Sequence, residues 1–138
     1  MTLHPTLLEE LLEAEVRVAR TRYEHRIRGL DILGTDIICR IDGNLGADAL
    51  IRLGGRKFDA EPFRVAVVMP DGNIAPQPLW PGSLFHSIHP ILGRGFVCIR
   101  GTFEYHCHPS HLDDRWDIYR TRLRLPQLLD HLLKKAGR

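Results

Sequence analysis

Three short apolar runs, rich in β-branched residues, follow one another in the first half of the chain. They cover 36–41, 49–53 and 63–69, and glycine-containing breaks at 42–44 and 54–55 interrupt them. Short apolar runs bounded by turn residues are typical of strands joined by hairpins. The pattern therefore predicts a meander of antiparallel strands, and a further apolar run at 96–99 predicts a fourth strand.

Two amphipathic helices are predicted on either side of these runs. Residues 6–23 and 126–136 both place leucines at helical spacing. Between the third run and the fourth, prolines at 70, 76, 78 and 81 disfavour regular structure, because proline has no backbone N–H to donate. Helices that flank an antiparallel sheet define the α+β class. With 138 residues, of which 43% are apolar, we expect one domain spanning 1–138.

Composition argues against several classes of protein. The formal charge of +2 is small and spread along the chain, which does not favour nucleic-acid binding. No apolar run approaches the roughly 18 residues of a membrane span, and the acidic N-terminal segment is unlike a signal peptide. We therefore expect a cytoplasmic protein. Three cysteines do not imply a disulfide framework, so thiol and metal chemistry stay open.

Reactive side chains concentrate in the segment 104–111. If 101–108 is an extended strand, Glu104, His106 and His108 share one face. Pro109 then turns the chain so that His111 returns toward them, and Cys98 supplies a thiolate from the preceding strand. These donors suit Zn²⁺, which binds four ligands in a tetrahedral arrangement. The five candidates are one more than the ion can hold, so one of them lies outside the ligand set. The segment predicts a zinc site; the alternative is a solvated histidine loop without a metal.

Cys98 has two further interpretations. A free cysteine in an apolar strand is most often part of the core. A reactive thiol needs nearby positive charge, which Arg94 or Arg100 would supply. The sequence alone leaves ligand, nucleophile and core residue open for Cys98.

The order of these features resembles the ubiquitin-conjugating enzymes: a leading helix, a meander, a proline-rich loop, His89-Pro90, Cys98, Trp116 and a closing helix. The resemblance implies a ubiquitin-conjugating-enzyme-like (UBC-like) fold in which the cysteine forms a thioester. Ile91 stands where that family has an asparagine that supports the oxyanion, and Ile99 and Arg100 replace the usual leucine and aspartate. Losing one oxyanion donor typically costs ~10² to 10³ in rate. These differences predict that Cys98 forms no stable thioester.

The segment between Cys98 and Trp116 is longer than in conjugating enzymes and holds the histidine cluster. In this respect the chain is similar to a small bacterial family that is predicted to bind metal through a Cys, Glu, His, His set. Its genes lie beside those of ubiquitin-like proteins, their activating and conjugating enzymes and a JAB-type protease. The resemblance carries the set onto Cys98, Glu104 and two of His106, His108 and His111.

This resemblance implies a metal-binding accessory protein of a bacterial ubiquitin-like modification system. Its partners would be the ubiquitin-like protein or the activating or conjugating enzyme. One alternative is a conjugating-enzyme-like protein that forms a thioester at Cys98. The other is a metal-assisted hydrolase in which Glu104 acts as the general base.

Overall fold

Two helices and a four-stranded antiparallel sheet form the frame of the molecule, which confirms the predicted α+β class. The computed structural model describes residues 3–23, 29–42, 48–81 and 87–135. The elements, in chain order, are α1 (Pro5–Tyr23), β1 (Gly29–Leu33), β2 (Asp36–Asp42), β3 (Asp48–Gly54), β4 (Arg64–Val68), β5 (Ser87–Ile88), β6 (Gly95–Phe96), α2 (Phe103–His106) and α3 (Leu125–Lys135). Short 3₁₀ helices cover Gln77–Leu79, Pro109–His111 and Trp116–Ile118. None of the helices in these ranges is long and apolar enough to cross a membrane.

The sheet is a simple meander in the order β1-β2-β3-β4, with every neighbouring pair antiparallel. The β2–β3 register sets Ile37 opposite Leu53 and Cys39 opposite Ile51, and all four side chains are buried. They belong to one core that also contains Leu12 of α1 and the leucines of α3. Each such aliphatic side chain contributes about 1.5–3 kcal/mol when it is buried. Alternation along the strands therefore drives the packing of the sheet against the helices.

Gly55 lets α1 approach the end of the sheet closely. A β-carbon at this position would lie 2.9 Å from both Leu12 Cδ2 and Phe63 Cε1. Real β-carbons do not tolerate such short distances, so only glycine fits without movement of the core.

The three predicted strands of the meander are confirmed, but the fourth strand lies elsewhere. It is β1, which precedes the others and pairs with β2. In the segment 96–99 only Phe96 is in a strand, and β6 pairs with β5 in a separate two-stranded sheet. After Phe96 the chain turns, and Ile99 N–H donates to Val97 O within the same segment. The apolar run at 96–99 is thus a bend in which Phe96, Val97 and Ile99 are buried and Cys98 is exposed.

The expected extended conformation of 101–108 is wrong, since Phe103–His106 forms the helical turn α2. Gly101 has a φ of +102°, and the Thr102 hydroxyl caps the turn by accepting from Tyr105 N–H at 3.2 Å. Positions i and i+2 of a helix point about 200° apart around its axis. Glu104 and His106 therefore do not share a face, which removes the strand argument for joint metal binding.

Candidate active site

Cys98 is exposed at the surface, directly beside a histidine. Its neighbours Val97 and Ile99 are buried, and the bend closed by the hydrogen bond from Ile99 N–H to Val97 O leaves the Cys98 side chain facing outward. The Sγ atom lies 3.6 Å from Nε2 of His111, which ends the 3₁₀ helix Pro109–His111. An imidazole nitrogen at this distance can take the thiol proton and leave a nucleophilic thiolate. The core interpretation of Cys98 is therefore wrong.

The ring of His111 lies flat on the ring of Tyr105. Their centroids are 4.1 Å apart and the planes differ by 11°. The Tyr105 hydroxyl donates to Asp114 Oδ2 at 2.5 Å, so the phenol ring is held from its far end. The histidine that faces Cys98 thus rests on a tethered aromatic side chain.

Asp114 accepts hydrogen bonds from three side chains. Besides Tyr105, Arg100 Nε donates to Oδ2 at 2.8 Å and the Tyr119 hydroxyl donates to Oδ1 at 2.5 Å. The hydrogen bonds from the two tyrosines, with that from Arg100, hold the pKa of Asp114 well below its usual range. Asp114 N–H also donates to His111 O, which closes the short loop that carries the histidine.

His106 uses both of its ring nitrogens within the protein. Gly101 N–H donates to Nε2 at 3.1 Å, and Nδ1 lies 2.7 Å from the carbonyl oxygen of Asp114. These two partners together require the neutral tautomer with the proton on Nδ1. Burial lowers the pKa of His106, which also favours the neutral ring. His106 therefore ties the Asp114 loop to the start of α2.

Glu104 points into the core, toward the sheet. It is 0% exposed, and its Oε1 accepts a hydrogen bond from Val65 N–H of β4 at 2.6 Å. Burial raises the pKa of Glu104 to about 7, against the opposing effects of this hydrogen bond and of the charges on Arg94 and Arg64. A carboxylate placed here has no access to solvent beside Cys98, which gives no support to Glu104 as a general base.

His108 and His89 serve local structure. The Nδ1 atom of His108 accepts from Ser110 N–H at 3.1 Å and caps the 3₁₀ helix that ends at His111. Nδ1 of His89 accepts from the amides of Ile91 and Leu92, both at 3.1 Å. Because Nδ1 is an acceptor, Nε2 of His89 carries the proton and donates to Glu104 O at 3.0 Å. His89 thus holds the turn at 89–92 to α2.

The five candidate zinc ligands do not form one donor set in this arrangement. Of the five, Cys98 and His111 meet, whereas Glu104 and His106 are engaged with backbone groups elsewhere. Across the described ranges, no group of three or more His, Cys, Asp or Glu side chains is placed to hold a metal ion. The zinc ion stays a prediction of the sequence, and this donor geometry does not add to it.

The sequence places both Cys98 and His111 among the candidate zinc ligands, and for Cys98 it also leaves open the roles of nucleophile and core residue. Asp113 and Asp114 are also candidates in the sequence, either as residues that orient a histidine ligand or as caps of the segment around Trp116, and the structure shows the carbonyl oxygen of Asp114 at the ring of His106. The sequence pattern places Tyr105 with Cys107 on the other face of the expected strand and gives it no role. Nothing in the local pattern marks this tyrosine, because its role depends on a stacking partner six positions along a loop whose path the pattern does not reveal.

Comparison with known proteins adds no relative: no family model matches the chain, and no curated protein matches it either.

Proposed function

We propose that the protein is an acyl-transfer enzyme whose nucleophile, Cys98, accepts the C-terminus of a ubiquitin-like protein as a thioester. The observation that carries the proposal is the exposed Sγ of Cys98 at 3.6 Å from Nε2 of His111. A nucleophile within reach of a base is the arrangement that covalent catalysis requires. The order of elements, which resembles that of the conjugating enzymes, supports this choice of substrate.

The reaction exchanges one thioester for another. The Cys98 thiol gives its proton to His111, and the thiolate attacks the carbonyl carbon that links the ubiquitin-like protein to a cysteine of its activating enzyme. A new carbon–sulfur bond forms to Cys98 while the bond to the activating enzyme's sulfur breaks. The departing thiolate takes up the proton held by the imidazole, so no further reactant is consumed.

Ile91 lowers the rate of this reaction but does not prevent it. Its side chain offers no amide to the developing oxyanion, and a missing donor of this kind costs ~10² to 10³ in rate. The expectation that no stable thioester forms is argued from Ile91 and Arg100 and does not include His111 as a base for Cys98. A paired base supplies typically ~10² to 10⁴, which is enough to offset the missing donor.

A charging assay tests the proposal. The protein is incubated with ATP, a ubiquitin-like protein and the activating enzyme that charges it, and the products are separated on a non-reducing gel. We expect an adduct of the two chains that reductant removes. Cys98→Ala should abolish it and Cys107→Ala, a control at the less exposed neighbouring thiol, should retain it. Absence of the adduct although the activating enzyme is charged, or its persistence in Cys98→Ala, would refute the proposal.

A further inference from the structure

We infer that Tyr105 is a positioning residue, which holds the His111 ring in the orientation that lets Nε2 face the Cys98 thiol. This inference rests on the proposed function for its biological meaning, but the Cys98–His111 interaction that it explains can be measured without any partner protein.

Besides the Cys98 thiol and Tyr105, the His111 ring meets the ring of His108, in a tilted contact with a centroid distance of 5.5 Å. His111 lies at the end of a 3₁₀ helix of three residues, and its neighbours Ser110 and Leu112 are exposed. A histidine on such a short surface turn samples several rotamers unless another side chain restricts it. The nearly parallel contact with Tyr105, at a centroid distance of 4.1 Å, supplies this restriction.

Tyr105 is suited to this task because it is itself immobile. It is only 9% exposed, its amide donates to the Thr102 cap, and its hydroxyl donates to Asp114. Asp114 in turn is held by Arg100 and Tyr119. The phenol ring is therefore fixed at its backbone end and at its hydroxyl, and one flat face remains for the imidazole.

The fixed ring selects one approach to the thiol. Stacking keeps the imidazole parallel to the phenol, so its nitrogens can only lie in that plane, and Nε2 is the one at 3.6 Å from Sγ. Catalytic groups must be held within about 0.5 Å of the productive geometry, which a freely rotating surface histidine does not achieve. Loss of the ring should thus uncouple His111 from Cys98 without removing either residue.

A double-mutant cycle on thiol alkylation tests the inference. Iodoacetamide modification of Cys98 is followed by mass spectrometry, because trypsin places Cys98 in the peptide 95–100 and Cys107 in 101–115. We expect His111→Ala to slow alkylation of Cys98 about tenfold in the wild-type background, below the roughly hundredfold of full general-base catalysis. In a Tyr105→Leu background the same substitution should change the rate less than about twofold, since the coupling is already lost.

Two conservative variants separate positioning from a general structural role. Tyr105→Phe keeps the stacked ring but loses its hydroxyl tether to Asp114, so the effect of His111→Ala should be larger than in the Tyr105→Leu background and no larger than in wild type. Tyr119→Phe removes an equivalent hydrogen bond to the same Asp114 carboxylate and should also retain the effect, because Tyr119 donates to the other carboxylate oxygen and His111 stacks on Tyr105. An equal effect of His111→Ala in the wild-type and Tyr105→Leu backgrounds would overturn the inference.

The buried Cys39 reports unfolding in the same experiment, because it becomes alkylated only if the sheet opens. If Tyr105→Leu unfolds, the NMR spectrum of the wild-type protein tests the inference instead. The ring protons of a histidine stacked on a phenol are shifted upfield, and those of His111 are identified by their loss in His111→Gln. Unshifted His111 resonances would overturn the inference. If His111→Ala slows the alkylation of Cys98 but no thioester forms, the proposed function fails and the positioning role stands. If the thioester forms but His111→Ala leaves the alkylation rate of Cys98 unchanged, only the positioning role fails.

Discussion

Replacing Glu104 with glutamine should make the protein more stable at alkaline pH and remove part of its pH dependence. Glu104 is wholly buried, and its Oε1 accepts from Val65 N–H, while Oε2 finds no hydrogen-bond partner within the described ranges. Burial penalises the charged carboxylate, which raises the pKa to about 7 from the ordinary 4.5. Glutamine matches the shape of the protonated acid and carries no charge at any pH.

The sign and size of the effect follow from the two pKa values. Between pH 4.5 and about 7 the folded chain keeps a proton on Glu104 that the unfolded chain has released. Stability therefore falls as the pH rises through this range, and the penalty is complete above about pH 7. At about 1.4 kcal/mol for each pH unit between the two values, the penalty at pH 8.5 is roughly 3 kcal/mol.

Urea unfolding of wild type and Glu104→Gln between pH 5 and pH 8.5 measures this penalty. The fluorescence of Trp80 and Trp116, both buried, reports the transition. Other titrating groups cancel in the difference between the two proteins, so the variant should gain roughly 3 kcal/mol relative to wild type across the range. Glu10→Gln, at an exposed glutamate of α1, should change stability by less than about 0.5 kcal/mol. If Glu104→Gln follows the pH dependence of wild type, or is the less stable protein at pH 8.5, the reasoning is refuted.

Three further outcomes are expected. The proposed nucleophile requires a Cys98 thiol that no metal holds, so protein purified without a histidine tag or chelator should contain less than stoichiometric zinc by elemental analysis; one zinc per chain that His111→Ala removes would establish the metal site instead. Because the folded pKa of Asp114 lies below its usual range, its contribution is present at neutral pH and lost as the pH falls below about 4. Thermal melts between pH 5 and pH 2 should accordingly show a smaller loss of Tm for Asp114→Asn than for wild type. Gly55→Ala should cost about 1–3 kcal/mol in urea unfolding through its clash with Leu12 and Phe63, and an unchanged midpoint would contradict that contact.

The parts of the fold that depend on local pattern could be predicted from the sequence. Leucines at helical spacing define α1 and α3, and alternating apolar residues such as Ile37, Cys39 and Ile41 define the buried face of β2. These patterns succeed because one face of each element must leave water, whatever its exact neighbours are. The strand β1 could not be predicted in this way, because only Leu30 of its five residues is buried and the segment shows almost no hydrophobic periodicity.

The segment 101–108 carries signals for two different local structures. Alternating residue types favoured a strand, while Thr102 and Gly101 favoured a capped helical turn. The packing of the segment decided between them, since Phe103 N–H donates to Phe63 O and Glu104 reaches Val65 on β4. Because the segment is a helical turn and not a strand, Glu104 and His106 point to different sides instead of sharing one face.

The sequence by itself determined the fold class, the two framing helices, most of the meander and the identity of the reactive side chains. Only the tertiary structure decided which of these side chains meet. Cys98 and His111 are thirteen positions apart, and their meeting depends on a loop closed by Asp114 and on the ring of Tyr105. Hydrophobic periodicity specifies which side of an element is buried. It carries no information on the path of a surface loop, whose course is fixed by hydrogen bonds between residues distant from one another.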